Sequence, residues 1–490
     1  MQLAALIKPI APLAIDGSLD RDVTAICYDS RRVTQGSVFV ALPGENTDGH
    51  RFVEAAIERG AAAVIVTRNG IPHGRTTLVR VADPRRALAE LASEFHGHPA
   101  TKLKMVGITG TNGKTTVAFM AKQILQAAGQ KAGLIGTVRY EIGDRTIPAN
   151  RTTPQALELQ EMLAQMIRAD SKACSMEVSS HALDQKRVLG IDFDAAVFTN
   201  LTQDHLDYHK TMDAYFDAKL TLFRSLGQRQ KQSFAVVNAD DPRASRVAES
   251  LAPFVRCLTF GIARNSDIRA REVSLSVGGS KFSAETPGGR SKINLPLIGR
   301  HNVSNALAAI GVGLGFGIPL ETISAALEQL RRVPGRLETI TEGQPFRVFV
   351  DYAHTDDAVR NVLTTLRELK PKRLIIVFGA GGSRDTKKRA LMGRAANDGA
   401  DISILTSDNP RKEDPREIIR MIESGFSDKK KFEVIVDRRQ AIERALKMAE
   451  AGDIVLLAGK GHETVQEYAD TIVPFDDREV AREILVRWKN

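Results

Sequence analysis

The sequence predicts an α/β protein built as three domains, and three observations carry that prediction. At 490 residues the chain is long enough for roughly three cores at about 150 residues each. Short apolar β-like runs alternate with helical stretches, the pattern of strands joined by crossover helices. Breaks at His96-Gly97-His98-Pro99 and Val333-Pro334-Gly335-Arg336 interrupt the alternation twice. The expected units are a small N-terminal α/β domain over 1–99, a central parallel-sheet domain with a phosphate loop over 100–334, and a Rossmann-like C-terminal domain over 335–490.

The first unit reads as strands in SVFVAL, AAAVIV and TLVRVA with helices in HRFVEAAIERG and DPRRALAELASEF. The second opens on LKMVGIT and continues through CSMEVSS, DAAVFTN and FAVVNAD. Around Gly278 to Lys292 the chain turns Gly- and Ser-rich with β-alternating flanks and reads as a hairpin excursion from the sheet. In the third unit FRVFVDYAHT, RLIIVFGAGGSRD, DISILTSDNPR and DIVLLAGKGHE are each an apolar run followed at once by Gly, Asp, His or Arg. Ligands bind beyond the carboxyl ends of strands in open α/β sheets, so these clusters point to one shared site.

Composition narrows the class. A chain with 43% hydrophobic and 26% charged residues is neither disordered nor collagen-like. Its net charge of +9 favours anionic partners without naming them. Cys27, Cys174 and Cys257 are odd in number and far apart, which fits a reducing compartment and no disulfide framework. MQLAALIKPIAPLAID lacks a basic residue ahead of its short apolar run and a small-residue cleavage site, so it does not read as a secretory signal. No apolar run reaches about 18 residues, so no membrane span is expected. Aromatics at 5%, with Trp488 the one tryptophan, speak against a nucleic-acid-stimulated ATPase.

The strongest local signal is Gly110-Thr111-Asn112-Gly113-Lys114-Thr115-Thr116, preceded by LKMVGIT and followed by Val117, Met120, Ala121, Ile124 and Leu125 at helical spacing. Glycines let backbone N–H groups curl round phosphate oxygens, the helix N-terminus adds positive potential, and Lys114 supplies a point charge. Thr115, the first hydroxyl after the lysine, is placed to ligate Mg²⁺. Ile108 stands where the strict pattern has its first glycine, so the loop is a variant in the right strand-loop-helix context.

Glu177 in MEVSSH and His205 in NLTQDHLDYH also follow apolar runs. A carboxylate beside a phosphate loop suits Mg²⁺, which prefers oxygen ligands; spacing alone equally allows a solvated Glu and a hydrogen-bonded structural His. Lys219 in AYFDAKLTLF falls among apolar helical positions and reads as a snorkelling lysine. Gly379, Gly381 and Gly382 match a dinucleotide fingerprint only loosely, because Arg384 takes the place of its last glycine. Arg384 and Arg411 suit a carboxylate with their guanidinium forks, the plainer alternative being a surface ion pair.

Together GTNGKTT, MEVSSHAL, DHLDYH, the Lys219 segment, LIGRHNVSNALAA, PGRLE, VDYAHT, SDNPR and AGKGHE resemble the Mur ligase family of bacterial cell-wall synthesis over nearly the whole chain. YDSRRVTQGSVFVALPG is similar to the uridine-nucleotide domain of the member that adds the third amino acid, which disfavours a folylpolyglutamate-type ligase. The resemblance implies an ATP-dependent ligase in which the first domain holds a UDP-sugar, the central ATPase domain ATP, and the third an amino acid. It implies catalytic roles for Lys114, His205 and Lys219, with Lys219 as a carbamate, and metal binding by Thr115, Glu177, His205 and Lys219. The nucleotide falls to Gly110 through Thr116, His301, Asn302, Asn305, Arg336 and Asp351, although the Asn pair could equally cap a helix.

For the muramyl substrate, UDP-N-acetylmuramoyl-L-alanyl-D-glutamate, the matching positions are Ser30, Thr152, Thr153, Ser179, Gln185 and Arg187, with the loop Glu45 to Thr47 and Arg151 nearby. For the incoming amino acid they are Arg384, Asp408, Asn409, Pro410, Arg411, Gly459 and Glu463. Diaminopimelate carries a second amine-carboxylate centre that lysine lacks; Arg411 can pair that carboxylate and Glu463 its ammonium. The resemblance therefore implies meso-diaminopimelate over L-lysine, and a cytoplasmic monomer with no nucleic-acid partner.

Overall fold

The structure, a computed structural model, describes residues 1–44, 47–228, 231–383 and 385–488. The fold class is the one the alternation predicts: three α/β units, each around a mainly parallel sheet. In the first, Ala25–Cys27, Ser37–Val40, Ala63–Val66 and Thr77–Arg80 run parallel, and Ala14–Asp16 closes the edge antiparallel to Thr77–Arg80. The helix Pro84–Phe95 covers one face. Its start is fixed by the Asp83 carboxylate, which accepts the Arg85 and Arg86 backbone N–H groups, and by Pro84 in the first turn.

Among the described residues the second sheet has eleven strands. Lys104–Thr109 lies at its centre. The chain first winds to one side through Ala132–Ile135 and Ala173–Glu177, then crosses to the other side at Ala195–Phe198, followed outward by Phe234–Asn238 and Arg256–Gly261. That reversal opens a crevice above the carboxyl ends of the central strands. The central strands are almost wholly buried on both faces, which explains why they read as continuous apolar runs.

The segment read as a hairpin excursion does not leave this sheet. Ile268–Ser276 joins Arg256–Gly261 in parallel, and Gly279–Thr286 and Gly289–Leu295 extend the edge antiparallel. Their inward residues Phe282, Ala284, Ile293 and Leu295 join the core under the helices Arg300–Gly315 and Leu320–Gln329. Gly and Ser mark the turns and the solvent face, not a departure from the layer. Among the described residues, no helix is long and apolar enough to cross a membrane.

In the third sheet Arg347–Asp351, Ile454–Ala458, Leu374–Phe378, Ile402–Leu405 and Phe432–Val434 are parallel neighbours, with Glu338–Ile340 antiparallel on the Arg347–Asp351 edge. A separate hairpin, Val465–Tyr468 with Thr471–Pro474, leans on the loop after Ile402–Leu405: Arg411 and Glu467 pair through the main chain, and Gln466 Nε2 donates to the Asp408 carbonyl at 2.7 Å.

Behind these loops sits a fully buried ion pair. Arg438 binds Asp477 through Nε at 2.8 Å and Nη2 at 2.6 Å, and donates to the Ala458 carbonyl at 2.9 Å and the Ser407 carbonyl at 3.3 Å. One guanidinium thus ties together the two strand ends that carry SDNPR and AGKGHE. Removing it strands the Asp477 carboxylate in the core. Arg438→Met is expected to destabilise the third domain by about 3–5 kcal/mol, read as a lowered urea midpoint, with part of the loss recovered when Asp477→Leu is added.

Candidate active site

The phosphate loop fills the crevice of the central sheet. Gly110 takes φ +145°, and a Cβ there would lie 1.9 Å from Thr199 Oγ1, so the turn out of Lys104–Thr109 admits only glycine. Lys114 opens the helix Lys114–Ala127, and its Nζ donates to the Gly110 and Thr111 carbonyls, both at 2.8 Å. Burial pushes its pKa below the usual lysine value, with Glu177 and Asp204 opposing and Arg336 assisting. Thr115 Oγ1 lies 3.1 Å from Glu177 Oε2 and accepts from Arg336 Nη2 at 2.9 Å. Glu177, 1% exposed, also accepts from the Thr137 backbone N–H at 2.8 Å and from Thr137 Oγ1 at 3.0 Å.

Lys219, in the helix Met212–Arg224, is 1% exposed and turns its Nζ to the Gly110 carbonyl at 2.9 Å, over the Tyr215 ring. Its pKa lies well below 10.5 because of burial and then Lys114. It does not snorkel. His205 holds a left-handed backbone at φ +55°, with its ring beside His181 and Asp204. Burial lowers its pKa to about 4, against the opposing pull of Asp204, so the imidazole is neutral at physiological pH.

A cavity of about 400 Å³ joins these groups to the third sheet. Its wall carries Lys114, Thr115, Glu177, His205 and Lys219 on one side and Asp408, Asn409, Arg411, Gly459 and Glu463 on the other, with Thr152 and Ser179 between. Arg411 has φ +51°. Its Nε donates to Glu467 Oε2 at 2.7 Å and its Nη1 to the Gly382 carbonyl at 3.0 Å, leaving further guanidinium N–H groups of the fork for an anion. Pro410 stands between Asn409 and Arg411 as a turn residue. Arg384 and Glu45 lie outside the described residues.

A smaller cavity of about 140 Å³ continues from the loop, sharing Asn112, Gly113, Thr115 and Arg336, and is lined by Thr116, His301, Asn302, Asn305 and Asp351. Asn302 and Asn305 lie inside Arg300–Gly315 and do not cap it; Asn302 Nδ2 donates to the Ile298 carbonyl at 2.8 Å, and Asn305 Nδ2 to Asn302 Oδ1 at 3.1 Å. Asp351 accepts the Leu337 backbone N–H at 2.8 Å, and burial raises its pKa. Arg336 Nε is buried without a hydrogen-bond partner among the described residues, an orphaned donor on the boundary of both cavities. Such a site fits a nucleotide. The Thr115–Glu177 oxygens fit a hard cation that takes its other ligands from phosphate and water; no cluster of three or more His, Cys, Asp or Glu among the described residues would hold a metal unaided.

On the far side, a cavity of about 860 Å³ opens between the first and central units. Arg85, Arg151, Arg187 and Lys210 make its wall basic, and Thr47 and Gln185 line it. Arg187 is braced by Gln185 Oε1 at 2.6 Å and by the Thr153 carbonyl at 3.0 Å; burial, then Arg151 and Arg85, lowers its pKa to about 10. Thr153 is turned inward, donating to the Glu177 carbonyl at 2.8 Å. Among the described residues Tyr28, not Ser30, lines this cavity. His181 and Asp207 line both this cavity and the one at the phosphate loop, so the two adjoin.

Family models match in all three units: the Mur ligase family, catalytic domain, over residues 22–96; the Mur ligase middle domain over 108–313; and the Mur ligase, glutamate ligase domain, over 335–461. The chain belongs to the Mur ligase family. It is 46% identical over 490 residues to the UDP-N-acetylmuramoyl-L-alanyl-D-glutamate--2,6-diaminopimelate ligase of Geobacillus kaustophilus, covering 98% of this chain and 99% of that one. A solved structure of a protein of that name shares 34% identity, a TM-score of 0.71 and 99% coverage of both chains. The MurF ligase from Thermotoga maritima in complex with ADP, 20% identical with a TM-score of 0.62 over 95% of this chain and 96% of that one, shares the fold.

In this Mur ligase several groups at the cavities went unnoticed in the sequence. Thr137 has no motif around it; its contact with Glu177 comes from the sheet's strand order. Glu467 and Lys460 lie beside recognised residues and carried a usable signal, being charges next to a predicted site. Asp357 reaches across units, its Oδ2 accepting from Asn112 Nδ2 at 2.7 Å and Thr202 Oγ1 at 2.9 Å. These two bonds and the Arg336–Thr115 bond hold the third unit against the phosphate loop. Asp357→Ala gives up about 1–3 kcal/mol of that hold, and small-angle scattering of the ligand-free enzyme should show a larger radius of gyration. An unchanged curve would rule out the latch.

Proposed function

We propose that this enzyme uses ATP to join meso-diaminopimelate to UDP-N-acetylmuramoyl-L-alanyl-D-glutamate, in the cytoplasm and as a monomer, in peptidoglycan precursor synthesis. The observation that carries the reading is that three chemically distinct compartments adjoin around the phosphate loop. A basic cavity suits a diphosphate, a phosphate loop suits ATP, and the Asp408–Arg411 loop faces Glu463 as a receptor for an amine-carboxylate centre. In this reading 1–99 hold the UDP-sugar, 100–334 ATP, and 335–490 the amino acid. The names of relatives at 46% identity over the full chain support it. An L-lysine-adding enzyme of the same family is the second reading, and Arg411, which would find no distal carboxylate on lysine, weighs against it.

A carboxylate is a poor acyl donor. The D-glutamate side-chain carboxylate therefore attacks the γ-phosphorus of ATP, the bond to the β–γ bridging oxygen breaks, and ADP leaves with that electron pair. The acyl phosphate is then attacked at carbon by the neutral diaminopimelate amine; phosphate departs and the new amide nitrogen loses a proton. Lys114 and Arg336 stand where negative charge spreads over the transferring group. Positioning supplies much of the rest, with no covalent enzyme nucleophile required.

Thr115, Glu177 and His205 would hold Mg²⁺, which neutralises phosphate charge when bound. An amine adds CO₂ only when unprotonated, and the depressed pKa of Lys219 supports a carbamate there. Such a carbamate replaces a cation by an anion next to Lys114.

Phosphate release from ATP in the presence of the UDP-muramyl dipeptide should require meso-diaminopimelate. Turnover with L-lysine alone would move the specificity to the second reading, and stimulation by single-stranded DNA alone would remove the ligase reading. Arg411→Ala should raise the KM for diaminopimelate about tenfold or more at unchanged KM for ATP, the worth of one charge-assisted bond. Lys219→Ala should lose at least about 100-fold in kcat and recover in part with added short carboxylic acids; full activity without them would exclude the carbamate.

A further inference from the structure

The proposed function leaves one buried charge in the amino-acid pocket without a role. Lys460 has no solvent exposure, and its Nζ donates to Asn409 Oδ1 at 3.0 Å and Glu463 Oε2 at 3.1 Å. Asn409 Oδ1 also accepts the Glu467 backbone N–H at 3.1 Å. Both lone pairs of that oxygen are then in use, and the amide has one orientation. Its Nδ2 consequently faces Glu463 and donates to Oε2 at 2.8 Å. Two donors on Oε2 leave Oε1 as the face offered to the cavity. The preceding Gly459 has φ +108°, and a Cβ there would lie 2.6 Å from Asp408 Oδ2, so the loop is pressed against Asp408 and sends the Lys460 stem inward.

We propose that Lys460 is a positioning residue for the incoming amino acid: it locks the Asn409 amide and keeps the half-buried Glu463 carboxylate ionised to receive the distal ammonium. The inference rests on the reading that this pocket takes diaminopimelate. Removing one partner of a buried ion pair is costly whatever the lysine does, so stability does not separate a positioning lysine from a structural one. The separation comes from the pH profile and from the KM for diaminopimelate set against the KM for ATP.

The charges that face Glu463 come from several elements. Burial and Asp408, on the loop after Ile402–Leu405, raise its pKa; Lys460 and the Asn409 amide lower it. Arg438 stands behind the pocket on its own helix and interacts with Glu463. Arg411, Asp385, Lys388 and His354 line the same cavity. Burial holds the pKa of His354 at about 4 and that of the adjacent His462 at about 3, so neither imidazole adds positive charge at neutral pH. Loss of Lys460 therefore leaves Glu463 readier to bind a proton, and a protonated carboxyl no longer attracts an ammonium.

The experiment compares full-length wild type, Lys460→Met and Lys460→Gln by phosphate release with meso-diaminopimelate as the varied substrate, from about pH 6 to 9. Lys460→Met should raise the KM for diaminopimelate at least about tenfold, leave the KM for ATP unchanged, and move the acid limb of kcat/KM for diaminopimelate to higher pH. Lys460→Gln keeps a donor to Asn409 without the charge, so it should show the same shifted limb with a smaller rise in KM. An unchanged limb in Lys460→Gln overturns the proposal, whether or not Lys460→Met folds. So does a rise in both KM values with the limb in place, which is the mark of general loosening. Absence of wild-type turnover with diaminopimelate would instead remove the substrate reading itself.

Discussion

The site depends on one buried carboxylate. Glu177 ends the central strand Ala173–Glu177 and is held by Thr115 of the phosphate loop and by both the main chain and hydroxyl of Thr137. Through Thr115 it reaches Arg336 of the third unit, and through the Thr137 and Thr152 hydroxyls, 3.0 Å apart, it reaches the segment beside the basic cavity. A carboxylate so buried is costly unless every lone pair is used. Its partners are therefore fixed with it, and the compartments of the enzyme share a common origin at the end of that strand.

Beside this anion the structure buries two amines, Lys114 and Lys219, each within 3 Å of the Gly110 carbonyl. Two ammonium groups this close in a dry site repel each other, and desolvation penalises both, so one of them must sit in its neutral form more readily than an exposed lysine does. Burial lowers the pKa of both; Glu177 and Asp204 oppose the shift of Lys114, whereas Lys114 adds to the shift of Lys219. Placement alone thus gives the two amines different electrostatic surroundings.

The fold was legible because burial on both faces turns parallel strands into uninterrupted apolar runs, and LKMVGIT, CSMEVSS and DAAVFTN are such runs. The stretch from Gly278 to Lys292 reads as an excursion because strands at a sheet edge show one face to water and borrow turn residues, so their alternation resembles a detour. At the site, Lys114, Thr115 and Arg411 were legible from residue chemistry, and Asp408 to Pro410 only through the family resemblance. Thr137 and Asp357 were not, since their partners lie far away in sequence and are set by strand order and by the docking of one unit on another. Lys219 shows the limit most clearly: apolar neighbours at helical spacing describe both a lysine that snorkels out and one that is buried, and only its approach to Gly110 distinguishes them.

The third unit displays the same economy in a different form. Arg411 adopts a left-handed backbone, unfavourable for a residue with a side chain by roughly 1–2 kcal/mol, yet its main chain is pinned to Glu467 and its guanidinium to Glu467 and Gly382. The hairpin Val465–Pro474 supplies those restraints and, through Gln466, also holds the Asp408 carbonyl. Arg438 fastens the same two loops from behind. A fork constrained on three sides presents its remaining donors in one direction, which favours an anion at one distance from Glu463. Under the proposed function, discrimination between a substrate with a distal carboxylate and one without it then follows from rigidity, because a mobile arginine could find water or a surface carboxylate and would lose little when the substrate lacked the group.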